Sequence, residues 1–280
     1  MGHLELVKVT RVSSFRKMAL GTWRTAYDPS VYGTLKIRMD AAMDYVRRFR
    51  EATGIRLTVS HLVAFATARA LERMPDANAI LRWNRIYLRK KITVFFQVAL
   101  EDEDGTIDLS GATLHEVDRM TLAEIAQASE RAIERTRKKQ DAALERTRGG
   151  FRFVPFWMMG FVLRLVSFVQ YTLNIPLPGA PRDMFGAVMI TNVGSLGLDT
   201  AYVPLVPFSR APILLAIGAV HDEAVVEDGT VVPGKVMRIN ATFDHRFIDG
   251  VHAAIMSKTI RECFANPDAR FGEIPTDRDP

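Results

Sequence analysis

Apolar positions recur along this chain with two different periods, and the switches between them mark its elements. Residues 32–40, YGTLKIRMD, alternate with period two and predict a strand. The following AAMDYVRRFREATG takes helical spacing and stops at Gly54, and TVSHLVAFATARALERMPDANA (58–79) predicts a longer helix, capped near Thr58 or Ser60 and ended before Pro75. ITVFFQVAL (92–100), rich in β-branched and aromatic residues, predicts a central strand. A long charged helix follows over 120–148 and stops at Gly149 and Gly150. Three more strands are expected at GAVMITNV, PILLAIGAV and KVMRINATF, then a last helix around 251–265.

One segment breaks the rhythm. Between Phe153 and Pro178 the only charged residue is Arg164. On a helix, Gly160, Arg164, Ser167, Tyr171 and Asn174 form one narrow polar stripe, and a wide apolar face is left needing cover. Three covers stay open: a membrane span, a helix lying in the membrane interface as a peripheral contact, or burial against a neighbouring subunit or over a substrate channel. Arg164 near the middle counts against the span.

Without internal repeats, this order predicts an α/β (α+β two-layer sandwich) domain with a mixed sheet covered by helices. The apolar content of 48% and charged content of 25% over 280 residues are those of a globular chain with a sizeable core. The net charge of +5 gathers in residues 82–91 and 130–148, read as solvated faces. Without zinc-finger spacing or RNP-like aromatics, a nucleic-acid partner is not expected. A single cysteine, Cys263, excludes an intrachain disulfide framework and a multi-thiolate metal site, so no metal is expected and a cytoplasmic setting is, membrane-associated if 153–178 meets lipid. The opening MGHLELVKVT has no secretory apolar region, and Leu6 excludes a myristoylation motif.

Two stretches could carry chemistry. In ATFDHRFIDG (241–250), His245 ends a strand and enters a turn, where one ring nitrogen can be held by backbone while the other serves as a base. Asp249 could order that turn or bind an arginine, Arg246 or Arg16. In MITNVGSLG (189–197), Thr191 and Asn192 stand where a strand opens into a glycine turn, and their hydroxyl and amide could donate to an oxyanion. Taken singly, each stretch is equally compatible with a structural turn.

Taken together and in order, they carry a resemblance. DHRFIDG resembles the D-H-R-x-x-D-G signature of the acyltransferase catalytic domains of 2-oxo acid dehydrogenase complexes (dihydrolipoyl acyltransferases), a family related to chloramphenicol acetyltransferase. GAVMITNVGSLGLDTAYVPLVPFSRAPILLAIGAV, VTRVSSFRKMA, LTVSHLVAFATARALERMPDANA and MTLAEIAQ resemble its other segments. The resemblance implies a chloramphenicol-acetyltransferase-like fold and a homotrimer, in many members built into a larger cage or multienzyme core. Its active sites lie between subunits, reached by coenzyme A from one side and a lipoyl arm from the other. Carried over, His245 is the general base, Asp249 holds its turn, and Thr191 of the adjacent subunit replaces the family's usual serine at the oxyanion. Asn192, Asp244, Arg246 and Arg16 support them.

Three departures bear on substrate. Residues 1–280 are read as one catalytic domain, with no lipoyl or subunit-binding domain, so a lipoyl group would come in trans from a separate lipoylated protein. EDEDGTIDLSGATL stands where the family has an apolar channel wall, and the apolar stretch at about 151–182 stands as an insertion. Three functions follow as expectations: a stand-alone acyl-CoA-dependent acyltransferase, one serving a lipoylated partner, and a non-catalytic trimer or cage scaffold.

Overall fold

The computed structural model describes residues 2–10, 29–101, 107–138 and 154–274. Its main element is a seven-stranded mixed sheet. The strands are β2 (Ser30–Arg38), β5 (Val94–Glu101), β6 (Ile107–Leu114), β7 (Val188–Asn192), β8 (Ile213–Ile217), β9 (His221–Glu227) and β10 (Thr230–Asp244), in the order β2-β10-β8-β7-β5-β6 with β9 also on β10. The pairs β5/β7 and β7/β8 are parallel and the others antiparallel. A smaller antiparallel sheet joins β1 (Leu6–Lys8), β4 (Arg85–Arg89) and β3 (Ala79–Arg82).

Alternation sorts the main sheet's side chains between its faces. Ile37, Val94, Phe96, Val188, Ile190, Leu215 and Ile239 point to one side. There they pack with helices α1 (Asp40–Thr53), α2 (Val59–Arg73), α3 (Leu122–Arg137) and α5 (Gly250–Ala265) in one core. The short helix α6 (Pro267–Phe271) closes it with Phe271. Phe95, Met189 and Leu214 face the other way, under an irregular segment that supplies Leu205 and Ala211. Polar residues of β10 hold that segment down: Thr242 Oγ1 donates to Val203 O at 2.7 Å and Asn240 Nδ2 to Asp199 O at 3.4 Å.

Most expected elements are present. Gly54 closes α1 in the left-handed conformation at φ 68°, where glycine carries no Cβ penalty. Thr58 caps α2, and its N–H donates to His61 Nδ1 at 3.2 Å. As expected of a central strand, β5 lies inside the sheet, between β7 and β6. The described part of the long charged helix ends at Arg137, so the expected stop at Gly149 and Gly150 lies outside the described residues.

Residues 82–91 were expected to form a solvated face. They form most of the hairpin β3–β4, a strand face as expected, turning at Trp83 and Asn84, both at positive φ, with Ile86 and Arg89 buried. The acidic stretch after β5 contains the edge strand β6, and β9 was not expected at all.

The apolar segment departs most from the expected single helix. Helix α4 (Phe156–Ser167) runs for 12 residues and passes into a π-helical turn, Phe168–Thr172. Among the described residues no helix is long and apolar enough to cross a membrane. The C-terminal half of the polar stripe turns inward. Tyr171 packs with Leu4 and Ile80 under the small sheet, and Asn174 Nδ2 donates to Leu4 O at 3.0 Å. On the outer side Trp157, Phe161, Leu165 and Phe168 follow one another at helical spacing as an exposed apolar stripe, with Trp157 81% exposed.

Candidate active site

The end of β10 is fixed by backbone hydrogen bonds on two sides. Asp244 N donates to Pro212 O at 2.8 Å and His245 N to Pro29 O at 2.7 Å, while Phe247 N and Ile248 N both reach Asp244 O at 3.0 Å. The turn so formed brings Ile248 O to 2.8 Å from His245 Nδ1. A carbonyl can only accept, so Nδ1 carries the ring proton and Nε2 the lone pair in neutral His245. The half-buried ring is therefore held in one tautomer.

Asp249 caps the helix that follows. Its Oδ1 accepts from Val251 N at 3.0 Å and His252 N at 3.2 Å, and lies 2.6 Å from His252 Nδ1. Its short side chain and extended backbone suit the cap position. Of the two arginines expected as candidate partners, Arg246 is committed elsewhere. Arg246 Nε lies 2.9 Å from Asp244 Oδ1 and Nη2 2.6 Å from Oδ2, in a pair whose side chains are 4% and 5% exposed. Arg16 lies outside the described residues. His252, which the sequence reading passed over, was signalled by the spacing D-G-V-H: a cap-forming aspartate puts its i+3 neighbour within reach of its own carboxylate.

Thr191 and Asn192 end β7. Asn192 braces the next turn: Nδ2 donates to Ser60 Oγ on α2 at 3.2 Å, Oδ1 accepts from Ser195 N at 3.1 Å, and O accepts from Ser195 Oγ at 2.7 Å. One N–H and the carbonyl oxygen of its amide are thus engaged within the fold. Thr191, one position earlier, lies on the opposite face of the strand, the side of Met189.

The sheet register keeps Thr191 away from His245. Thr191 pairs with Ala216, Ala216 pairs with Asn240, and His245 follows Asn240 by five residues. Two strand spacings across and five residues along separate them by about 15–20 Å. Within one chain the two side chains do not meet.

The other buried histidines are built into the fold. His61 is pushed down to about 4 by burial, then by Arg50 and Arg56. It accepts at Nδ1 from Thr58 and lies 2.8 Å from Ser129 Oγ through Nε2. Burial also lowers the pKa of His3, and partial desolvation that of the more exposed His115. Among the described residues no group of three or more His, Cys, Asp or Glu could hold a metal ion.

The family model for 2-oxoacid dehydrogenases acyltransferase (catalytic domain) matches residues 6–154 and 180–271. A dihydrolipoyllysine-residue acetyltransferase component of the acetoin cleaving system of Bacillus subtilis is 24% identical over 219 residues, 78% of this chain and 44% of that protein. The chain thus spans less than half the length of that curated relative. A probable dihydrolipoamide acetyltransferase from Listeria monocytogenes superposes with a TM-score of 0.64 at 14% identity, over 98% of each chain. The dihydrolipoamide acetyltransferase of Azotobacter vinelandii, studied for the role of a serine, a histidine and an asparagine in its catalytic mechanism, does so at 0.63 and 19% identity, over 94% of this chain and 93% of its own. The fold is that of these acyltransferase structures, as the resemblance implied. Matched on both sides of residues 155–179, the chain belongs to the 2-oxoacid dehydrogenase acyltransferase (catalytic domain) family.

Proposed function

We propose that the protein transfers an acyl group between coenzyme A and a thiol acceptor at sites shared by two copies of the chain in a homotrimer. His245 of one copy is the general base and Thr191 of the next holds the oxyanion. The carrying observation is the locked His245 tautomer, with Nδ1–H on Ile248 O and the lone pair on Nε2. Separation of Thr191 from His245 within one chain supports a site completed by a second copy. In the Azotobacter relative the histidine and asparagine stand four positions apart, as His245 and Asp249 do here. Residues 1–280 act as one catalytic domain, with about 151–182 as an added segment, and a lipoyl group, where used, arrives on a separate protein.

In this reading the acceptor S–H gives its proton to His245 Nε2 as the thiolate attacks the thioester carbonyl. The tetrahedral oxyanion accepts a hydrogen bond from Thr191 Oγ1. Collapse breaks the bond to the coenzyme A sulfur, which leaves with the proton held on Nε2. Asp249 keeps the turn in place by fastening the helix behind it.

The test is complementation between two variants, with thioester formation on dihydrolipoamide from an acyl-CoA series as readout. His245→Ala alone should fall by about 10²–10⁴-fold and Thr191→Val alone by about 10²–10³-fold. Mixed and refolded together, the two should regain activity, because mixed trimers contain interfaces with both native residues. Single variants that turn over like the parent would sink the assignment, and a mixture that stays dead would sink the shared site. A large assembly inert with every acyl-CoA would favour the scaffold instead.

A further inference from the structure

Behind the His245 turn lies a cavity of about 860 Å³, between α4 and residues 205–211. Its size is within the roughly 300–1,000 Å³ of small-molecule sites. Leu81, Phe161, Leu205 and Phe247 supply apolar wall, and Arg210, Arg246 and Asp244 are the charged groups at its inner end, with Arg164 on α4.

That inner end carries more positive charge than it neutralises. Asp244 offers one carboxylate, already bound by Nε and Nη2 of Arg246. The third nitrogen, Nη1, is buried and has no hydrogen-bond partner. Arg210 donates from Nε to Ser167 Oγ at 3.1 Å, and no carboxylate pairs with it among the described residues. Burial first, then the neighbouring Arg246, holds its pKa below the usual arginine range. The backbone of Arg210 sits at φ 55°, a conformation uncommon outside glycine and asparagine, with its carbonyl accepting from Arg89 Nη2 at 3.3 Å. Two guanidinium groups facing one carboxylate inside an apolar wall make a site for one more negative charge, since a buried cation without a counter-charge is costly.

The route in is apolar. Phe161, Leu165 and Phe168 belong both to the cavity lining and to the exposed stripe of α4, so the same side chains continue from the surface to the interior.

We propose that this cavity binds a single-chain aliphatic anion, its head beside the guanidinium groups of Arg210 and Arg246 and its chain along α4 toward the exposed stripe. A hydrocarbon tail satisfies the walls, and a carboxylate or phosphate head supplies the counter-charge that the second guanidinium lacks. The site is separate from the proposed transfer between His245 and Thr191 and does not depend on it.

Calorimetric titration with dodecanoate, dodecyl phosphate and dodecyltrimethylammonium, each kept below micelle formation, tests the proposal on the whole chain. One anion should bind per chain, at least about 10-fold tighter than the cation of equal tail length. Whichever anion binds tighter names the head. Arg210→Gln should weaken the anion by about 10-fold or more, and it spares the carbonyl contact to Arg89. Gly160→Phe should block the cavity. A Cβ at Gly160 meets nothing within 4 Å, and the substitution removes a glycine from a helix interior, so the backbone should accept it, with circular dichroism as the check on folding. Equal binding of cation and anion, no binding of either anion, or parental affinity in both variants would overturn it.

Discussion

Asp249 Oδ1 stands 2.6 Å from Nδ1 of its i+3 neighbour His252, and the same oxygen accepts the first free N–H groups of helix α5. The residue expected to hold the His245 turn caps the helix that follows it. Replacing it with alanine should cost about 1 kcal/mol, within the roughly 0.5–2 found for lost caps. Asp249→Ser, which can still cap, should recover most of that in urea denaturation. If both variants lose equal stability, the cap is not what Asp249 contributes.

The Asp244–Arg246 pair is out of water on both sides. Removing one member strands the other's charge, so Arg246→Met should destabilise by about 3–5 kcal/mol. Asp244→Asn should cost a comparable amount, and the double replacement less than the sum. A double-mutant cycle by chemical denaturation gives the coupling, and strict additivity would show that the pair is not energetically joined.

His61 makes stability depend on pH with a definite sign. Its folded pKa, about 4, lies below the 6.5 of an unhindered histidine, so the unfolded chain takes up a proton first as pH falls. The neutral ring's contribution is complete above pH 6.5 and is lost progressively toward pH 4, on the order of 3 kcal/mol in all. His3 and His115, also lowered, act in the same direction. Urea midpoints at several pH values in this window should fall in the parent and fall less steeply in His61→Gln.

Gly194 follows the Thr191–Asn192 strand end and has no room for a side chain. A Cβ there would lie 2.6 Å from Gly218 O and from Ala219 N. Gly194→Ala should therefore destabilise by about 1–3 kcal/mol, as overpacking does. Gly160→Ala, in open space on a helix, should be neutral or stabilising, and thermal denaturation compares the two directly.

Legibility in the sequence followed burial on one or two faces. β5, β7 and β8 are internal strands rich in Val, Ile, Leu and Phe, and their patterns announced them. Among the described residues β6 pairs on one side only, so its small and polar residues read as an acidic stretch. β9, HDEAVVE, has no buried residue in its span and left no hydrophobic trace. The hairpin 79–89 hid behind its arginines. Only the contacts show that Arg89 is buried, with a partner in Asp183 at 3.3 Å. At the site, the strand-end positions of His245 and Thr191 were readable from local pattern. The cap role of Asp249 and the pairing of Arg246 with Asp244 were not, because both depend on which way a side chain turns after the strand stops. The cavity under α4 was also hidden, since its charged end comes from residues 210 and 244–246, remote in sequence from the helix that roofs it.

The pairing of β2 with β10 sets the order in which the molecule can be completed. Thr34 faces Asn240 across that ladder, and β2 has no other strand partner among the described residues. A ribosome adding about 5–20 residues per second would take roughly 10–40 s to deliver the second strand after the first. During that interval Ser30–Arg38 waits with both edges open, a template for any other strand nearby. Because His245 N is fastened to Pro29 O, the His245 turn is also among the last parts of the chain to set. Nascent chains halted before residue 230 should therefore be especially prone to aggregate, with β2 as the segment in need of a chaperone's cover.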